Sequence, residues 1–176
     1  MKRWLLTFLL FAVMATAATA EETNPPVSFG MQFVVEYDIL SGSFNLWDFR
    51  YGLGVDFMVH LGSAFYLGLE LGASFGFHKA MITDQSFDRI YVQFPMHLCL
   101  TAFFSGFNAQ IFGGASYNGE AALNGGMLYG DDFSFRLLPD AGVKVGWGTI
   151  NNIFLKAGYV FDGYVYFGLG ARLGLF

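Results

Sequence analysis

The stretch Leu46–His60, LWDFRYGLGVDFMVH, decides how this chain is built. Trp47, Phe49, Tyr51, Leu53, Val55, Phe57 and Val59 fall on one parity; Asp48, Arg50, Gly52, Gly54, Asp56 and His60 fall on the other. A helix repeats every 3.6 residues and would scatter these two sets around its circumference, whereas a strand sends successive side chains to opposite faces. Period two therefore reads as a β-strand with one apolar and one polar face. Beyond the turn signal HLGSA, the pattern resumes. Phe65, Leu67, Leu69, Leu71, Ala73, Phe75 and Phe77 alternate with Tyr66, Gly68, Glu70, Gly72, Ser74, Gly76 and His78.

Working outward, the same alternation covers most of the chain. Val27 to Ile39 forms a first run, Ile90 to Phe104 a fourth on even parity, and residues 107–117 a weaker, glycine-rich fifth. Residues 133–147 and 153–161 give a sixth and a seventh, and the tail YFGLGARLGLF, Tyr166 to Phe176, gives an eighth. In that tail Phe167, Leu169, Ala171, Leu173 and Leu175 share one face, while Gly168, Gly170, Arg172 and Gly174 share the other. Short links follow the second, fourth and sixth runs; longer ones, among them residues 79–88 and 119–132, are expected as loops. Pro95 removes a ladder donor from the fourth run, so a local bulge is expected there.

The beginning of the chain reads differently. Lys2 and Arg3 precede the apolar run Trp4–Met14, and Ala18-Thr19-Ala20 supplies a small-residue cleavage site, the three parts of a secretory signal peptide. Residues 1–20 are therefore expected to be a signal peptide and 21–176 a single β-barrel domain. Of the 9 Lys and Arg in the chain, two leave with that segment, so 7 cations face 14 acids and the remainder carries a net charge of −7. An acidic, apolar chain of this kind excludes a nucleic-acid partner. Cys99 is the single cysteine, so no intramolecular disulfide forms, and no His or Cys set has metal-ligand spacing. No cofactor or metal is expected.

Hydrophobic residues make up 55% of the sequence, yet no run beyond the signal reaches the roughly 18 apolar residues of a spanning helix. Only helices and closed barrels satisfy every backbone group in lipid. The pattern thus predicts an all-β, eight-stranded, up-and-down antiparallel transmembrane barrel. A soluble lipocalin-type barrel would also alternate, but its polar face would meet water and carry Lys, Glu and Thr. Here that face is rich in glycine with scattered ionic groups, which suits a narrow lumen. Aromatic residues near the strand ends of the apolar face (Phe29, Tyr37, Trp47, Phe77, Phe104, Phe133, Trp147 and Phe161) read as two interfacial girdles.

On its signal peptide, its eight alternating strands, the proline-containing QFPMHLCL strand and the terminal Phe176, the chain resembles the small eight-stranded outer-membrane proteins, the grouping of OmpX, OmpW and the OmpA transmembrane domain. That resemblance implies the outer membrane of a bacterium, with outer-membrane lipid as partner. It also implies recognition of the last strand, through Phe176, by the barrel-assembly machinery. Phe176 is out of phase with the lipid-facing residues of that strand. An even strand count returns both termini to one side, here the periplasm.

Hairpin register places the inward charges. Asp56 and Glu70 lie side by side, with His97 opposite Glu70; Lys144 lies near Lys156, with Arg172 on the next strand. An acidic wall thus faces a basic wall, and Arg50 and Asp140 also point inward. Side chains just fill an eight-stranded interior. Two functions follow: a narrow conduit for small, hydrophobic solutes, which the lumen glycines favour, or a structural or surface-interaction barrel with a plugged lumen. Some barrels of the resembling family modify lipid A. However, Glu70, Ser74 and His78 share a face at spacings of four residues, roughly 13 Å apart, too far for a proton relay. No enzyme activity is expected.

Overall fold

A computed structural model describes residues 25–39, 49–62, 64–82, 85–124, 127–128, 134–161 and 164–175. Nine strands follow in chain order: β1 Val27–Ile39, β2 Phe49–Gly62, β3 Phe65–Ile82, β4 Gln85–Phe104, β5 Phe107–Asn124, β6 Met127–Leu128, β7 Ser134–Gly148, β8 Asn152–Val160 and β9 Tyr164–Gly174. All pairings are antiparallel between sequence neighbours, except that β5 also pairs β7, and β9 returns to pair β1. The ring β1-β2-β3-β4-β5-β7-β8-β9 is therefore a closed eight-stranded barrel. The two-residue β6 merely extends the tip of β5 through Leu123↔Leu128 and Asn124↔Met127. Among the described residues there is no helix.

Short turns join β2 to β3, β4 to β5 and β7 to β8, all at one end of the barrel together with Pro25 and Leu175. Each contains a left-handed glycine, Gly62 (φ 127°), Gly106 (φ 70°) or Gly148 (φ 107°), a conformation that a Cβ would oppose. The remaining connections gather at the other end, called here the loop end.

Burial is inverted relative to a water-soluble barrel. Leu53 is 63% exposed and Leu137 61%, while Arg50 is 2% exposed and Asp56 3%. Leucines outside and ionic groups inside is the arrangement of a wall whose solvent is lipid. With all eight staves paired on both sides, no backbone edge faces outward through the barrel wall.

Three expectations need correction. Residues 79–88 are a continued hairpin, with β3 and β4 paired to Ile82↔Gln85. The stretch from residue 119 is largely strand as well, since β5 runs on to Asn124 along β4. Neither stretch alternates in its side chains, but an adjacent strand offers every backbone group a partner and extends the ladder. At Pro95 there is no bulge: register is the same at Leu71↔Met96 and Ser74↔Gln93, with the ladder interrupted between them. The Pro95 ring occupies the space that a Cβ on Gly72 would need, its Cγ 3.1 Å away, so the glycine absorbs the misfit without an inserted residue. The irregularity of the sheet lies instead between His60 and Gly62.

Candidate functional site

The inward positions of the staves converge into a continuous polar column. Nearest the turn end, Arg172 of β9 crosses to β2. Its Nε donates to Asp56 Oδ2 at 2.9 Å, and its Nη2 donates to Asp56 Oδ1 at 2.6 Å and to Ser28 Oγ at 2.8 Å. Its Nη1 caps the carbonyl of Ile150 in the β7–β8 turn. Gln32 of β1 is the hub of the next layer. Its Nε2 donates to Asp56 Oδ2 at 2.7 Å and to Glu70 Oε2 at 3.3 Å, and its Oε1 accepts from Lys144 Nζ at 2.8 Å. Lys144 of β7 also forms an ion pair with Glu70 of β3 across the lumen.

Higher still, His97 of β4 lies between two carboxylates, with Nε2 3.0 Å from Asp140 Oδ2 and Nδ1 3.7 Å from Glu70 Oε1. Ser116 Oγ and Tyr166 Oη donate to Asp140 at 2.7 and 2.9 Å. Lys156 of β8 donates to Glu36 Oε1 at 2.7 Å, and Glu36 Oε2 lies 3.2 Å from Arg50 Nη2. Arg50 donates to Asp38 at 2.7 Å and to Gln93. Its guanidinium lies over the rings of Tyr91, Tyr164 and Tyr166 at 5.3, 5.6 and 5.3 Å.

All eight charged side chains placed inward from the sequence (Arg50, Asp56, Glu70, His97, Asp140, Lys144, Lys156 and Arg172) are buried in the lumen, and each has an ionic partner there. Acids of β1, β2 and β3 face bases of β7, β8 and β9, with Arg50 and Asp140 each seated among the opposite set. Sequence reasoning missed Glu36, Gln32, Asp38 and Ser116. Glu36 and Gln32 do sit on the inward parity of β1, which was the available signal. Their partners come from the β1–β9 seam and from across the lumen, beyond any local hairpin.

Apolar groups close the column at the turn end and pack into its middle. Met58, Tyr66 and Phe103 pack together near the turns, with the Tyr66 and Phe103 rings edge to face at 5.1 Å. Tyr66 Oη donates to the carbonyl of Pro25 at 3.0 Å, drawing the start of the barrel over this mouth. Cys99, Phe112, Val160, Tyr164 and Tyr166 form a second buried cluster within the column, where the Phe112 ring lies 4.7 Å from that of His97 and the two tyrosines face Arg50. Beside the Met58–Phe103 plug, a polar cavity bordered by Gln32, Asp56, Thr101, Gln110 and Lys144 leaves about 20 Å³ for water centres. That is room for roughly one ordered water.

On the outer face, Tyr37 packs against Phe49 at 5.2 Å and Phe161 against Tyr159 at 5.2 Å toward the loop end. Phe104, Phe107 and Trp147 form a chain of rings at the turn end, each step 6.3 Å, and Phe29 is half-buried at the foot of β1. Trp47, Phe133 and Phe176 lie outside the described residues, as does the side chain of Phe77.

Ser116 and His97 are each within hydrogen-bond reach of Asp140, a triad-like set. However, the carboxylate stands between serine and histidine, so the imidazole cannot take the serine proton. The group is also sealed inside the lumen. Its geometry is that of a buried hydrogen-bond network.

No protein-family model and no curated protein matches the chain. Among solved structures it is similar to Ail, the attachment invasion locus protein of Yersinia pestis, in complex with the heparin analogue sucrose octasulfate. The two share 12% identity over 84% of this chain and 97% of that one, with a TM-score of 0.55. A second structure of Ail matches at 12% identity over the same shares, with a TM-score of 0.51. Neisserial surface protein A aligns at 12% identity over 84% of this chain and 95% of its own, with a TM-score of 0.48. At such identities the likeness is one of fold. The chain has the fold of the small eight-stranded outer-membrane β-barrels.

Proposed function

We propose that this protein is a non-enzymatic barrel of the bacterial outer membrane whose lumen is a structural plug and whose loop end is its working surface. The supporting observation is the unbroken column of side-chain contacts across the lumen, from Arg172–Asp56 through Gln32, Lys144–Glu70 and His97–Asp140 to Arg50 and its tyrosines. A solute would have to break several buried ion pairs, each costing about 3–5 kcal/mol when one partner is left alone. The hydrophobic-solute conduit favoured by the lumen glycines loses support, because rings of Phe112, Phe154, Tyr164 and Tyr166 fill much of that room. A Cβ on Gly158 would meet Tyr166 and one on Gly170 would meet Phe154.

At the loop end β3, β4 and β5 run 18, 20 and 18 residues, against 9 for β8, so one side of the barrel rises well beyond the rest. By sequence, the loop-end segments carry Asp48, Asp84, Asp88, Glu120, Asp131, Asp132 and Asp162 against Lys79, Arg89 and Arg136. Ail is known bound to a polysulfated ligand; the acid surplus here suits a cationic partner instead. Planar-bilayer recording of the refolded protein tests the plug. Steady discrete conductance steps from the wild-type chain would overturn it in favour of the conduit; a silent bilayer is the expected result.

A further inference from the structure

We propose that His97 holds a structural proton: in the folded lumen it stands as a doubly protonated imidazolium, the fifth cation that brings the buried column to electrical neutrality. This rests on the plug reading above and assigns the proton on which that plug depends.

Between Arg172 and Arg50 the column holds five carboxylates (Glu36, Asp38, Asp56, Glu70 and Asp140) and four permanent cations. Each permanent cation has a carboxylate of its own. Arg172 takes Asp56 at 2.6 Å, Lys144 takes Glu70, Lys156 takes Glu36 at 2.7 Å, and Arg50 takes Asp38 at 2.7 Å. Asp140 is left over. Its ion-pair partner is His97, whose Nε2 lies 3.0 Å from Oδ2, and both residues are buried. Arg136, the remaining cation whose side chain is described, is exposed and stands outside the column. A net negative charge shut away from water is costly, and a second ring proton on His97 cancels it.

The hydrogen bonds locate the protons. Asp140 accepts on both oxygens, Oδ1 from Tyr166 Oη at 2.9 Å and Oδ2 from Ser116 Oγ at 2.7 Å. A carboxylate supplied with donors on both oxygens is the ionised form, so the proton between Oδ2 and His97 Nε2 belongs to the imidazole. Nδ1 then decides the ring's charge. It has no hydrogen-bond partner among the described residues and lies 3.7 Å from Glu70 Oε1. Glu70 Oε2 is engaged by Lys144 and Gln32, which leaves Oε1 to face the ring. In a neutral imidazole Nδ1 would turn a bare lone pair toward that carboxylate, a repulsive contact. Protonated, the same atom is a donor facing an anion.

The other groups around the ring leave this assignment intact. Phe112 of β5 lies 4.7 Å away, and Cys99 of β4 directs its thiol at the His97 carbonyl, 3.9 Å off. Lys144 of β7 and Lys156 of β8 each carry their own carboxylate, and Lys156 Nζ lies over the Phe112 ring at 5.1 Å. Arg50 of β2 lies over the Tyr166 ring at 5.3 Å and is likewise matched, by Asp38. One proton therefore ties β4 to β3 and β7 together. Its release leaves four cations against five carboxylates, a net charge of −1. The stability it contributes is present while the proton is bound and is lost as pH rises through its release.

The test uses the untagged chain carrying His60→Gln and His78→Gln, which leaves His97 as its one histidine. It is labelled with nitrogen-15 in the imidazole, refolded into phosphatidylcholine vesicles and observed by nuclear magnetic resonance at about pH 7.5, where an ordinary imidazole with a pKa of about 6.5 is mostly neutral. The expected result is two protonated ring nitrogens, the imidazolium signature. A bare, pyridine-type signal from Nδ1 would overturn the proposal. The same protein is then followed upward in pH, and the melting temperature of its folded band should fall over the range in which the imidazolium signal disappears. A melting temperature that stays level or rises through that range would also overturn it. Adding His97→Gln, which lacks the cation at every pH, should lower melting at about pH 7.5 and abolish the pH step; if that variant gives no folded band, the pH series decides alone. Discrete conductance steps in the planar bilayer with the imidazolium signature intact would sink the plug reading while supporting the protonation assigned to His97.

Discussion

Glu70→Gln removes one negative charge from the centre of the lumen while preserving shape. Glu70 is 5% exposed and is the anionic partner of Lys144, whose other described acceptor is the Gln32 amide at 2.8 Å. It also lies 3.7 Å from His97 Nδ1. Leaving a buried ammonium without its carboxylate costs about 3–5 kcal/mol. At roughly 2–4 °C per kcal/mol for a chain of this size, the transition falls by about 6–20 °C. The assay is the heat-dependent shift between the folded and unfolded bands of the refolded barrel on gels, with urea unfolding in vesicles as the equilibrium measure. Glu70→Gln combined with Lys144→Met removes both charges and should recover most of the loss, because an apolar replacement of a buried pair is close to neutral. A single variant within about 1 kcal/mol of wild type refutes the structural role of the network. So does a double variant whose loss equals the sum of the two singles, since contacting partners must couple.

Two further substitutions test wall and lumen separately. Leu98→Arg, on the outer face beside His97 and 56% exposed, should cost about 2–4 kcal/mol in vesicles, read as a lower urea midpoint; an unchanged midpoint would contradict a lipid-facing wall. Gly114→Val should abolish the heat-resistant folded band, because a Cβ there meets the rigid backbone of Met96 and comes 3.0 Å from His97 Cα. Gly54→Ala, whose Cβ has 3.1 Å to the Leu71 carbonyl and wider room elsewhere, should fold with only a modest loss.

The fold was legible because its decisive signal is local. Leu53, Val55 and Phe57 against Gly52, Gly54 and Asp56 need no partner to reveal two faces, and a hairpin turn between two such runs fixes register by itself. From register alone, Glu70 falls beside Asp56 and opposite His97, as the ladder has them. What local pattern could not supply was contact across open space. Gln32 joins Asp56, Glu70 and Lys144 from three other staves, and Lys156 reaches Glu36 over a separation of 120 residues. The filling of the lumen was equally hidden. The inward glycines of β8 and β9 suggest empty room until the rings of Tyr166 and Phe154 are seen lying against Gly158 and Gly170. Strand continuation at residues 79–82 and 118–124 was missed for the opposite reason, since backbone pairing there carries no apolar signature.

The seam between β1 and β9 has a consequence in time. Its ten paired positions, from Gly30↔Gly174 to Ile39↔Val165, join the first stave to the last and cannot form until nearly the whole chain is present. Every other ladder between staves links neighbours and can close early at small entropic cost. Until then a growing sheet carries two bare edges, β1 on one side and the newest strand on the other, each a template for pairing with a foreign chain. Arg172, bridging β9 to Ser28 of β1 and Asp56 of β2, arrives with the final strand. Closure and the burial of its charge are thus one event, and the barrel passes from an adhesive sheet to an inert cylinder at its last step.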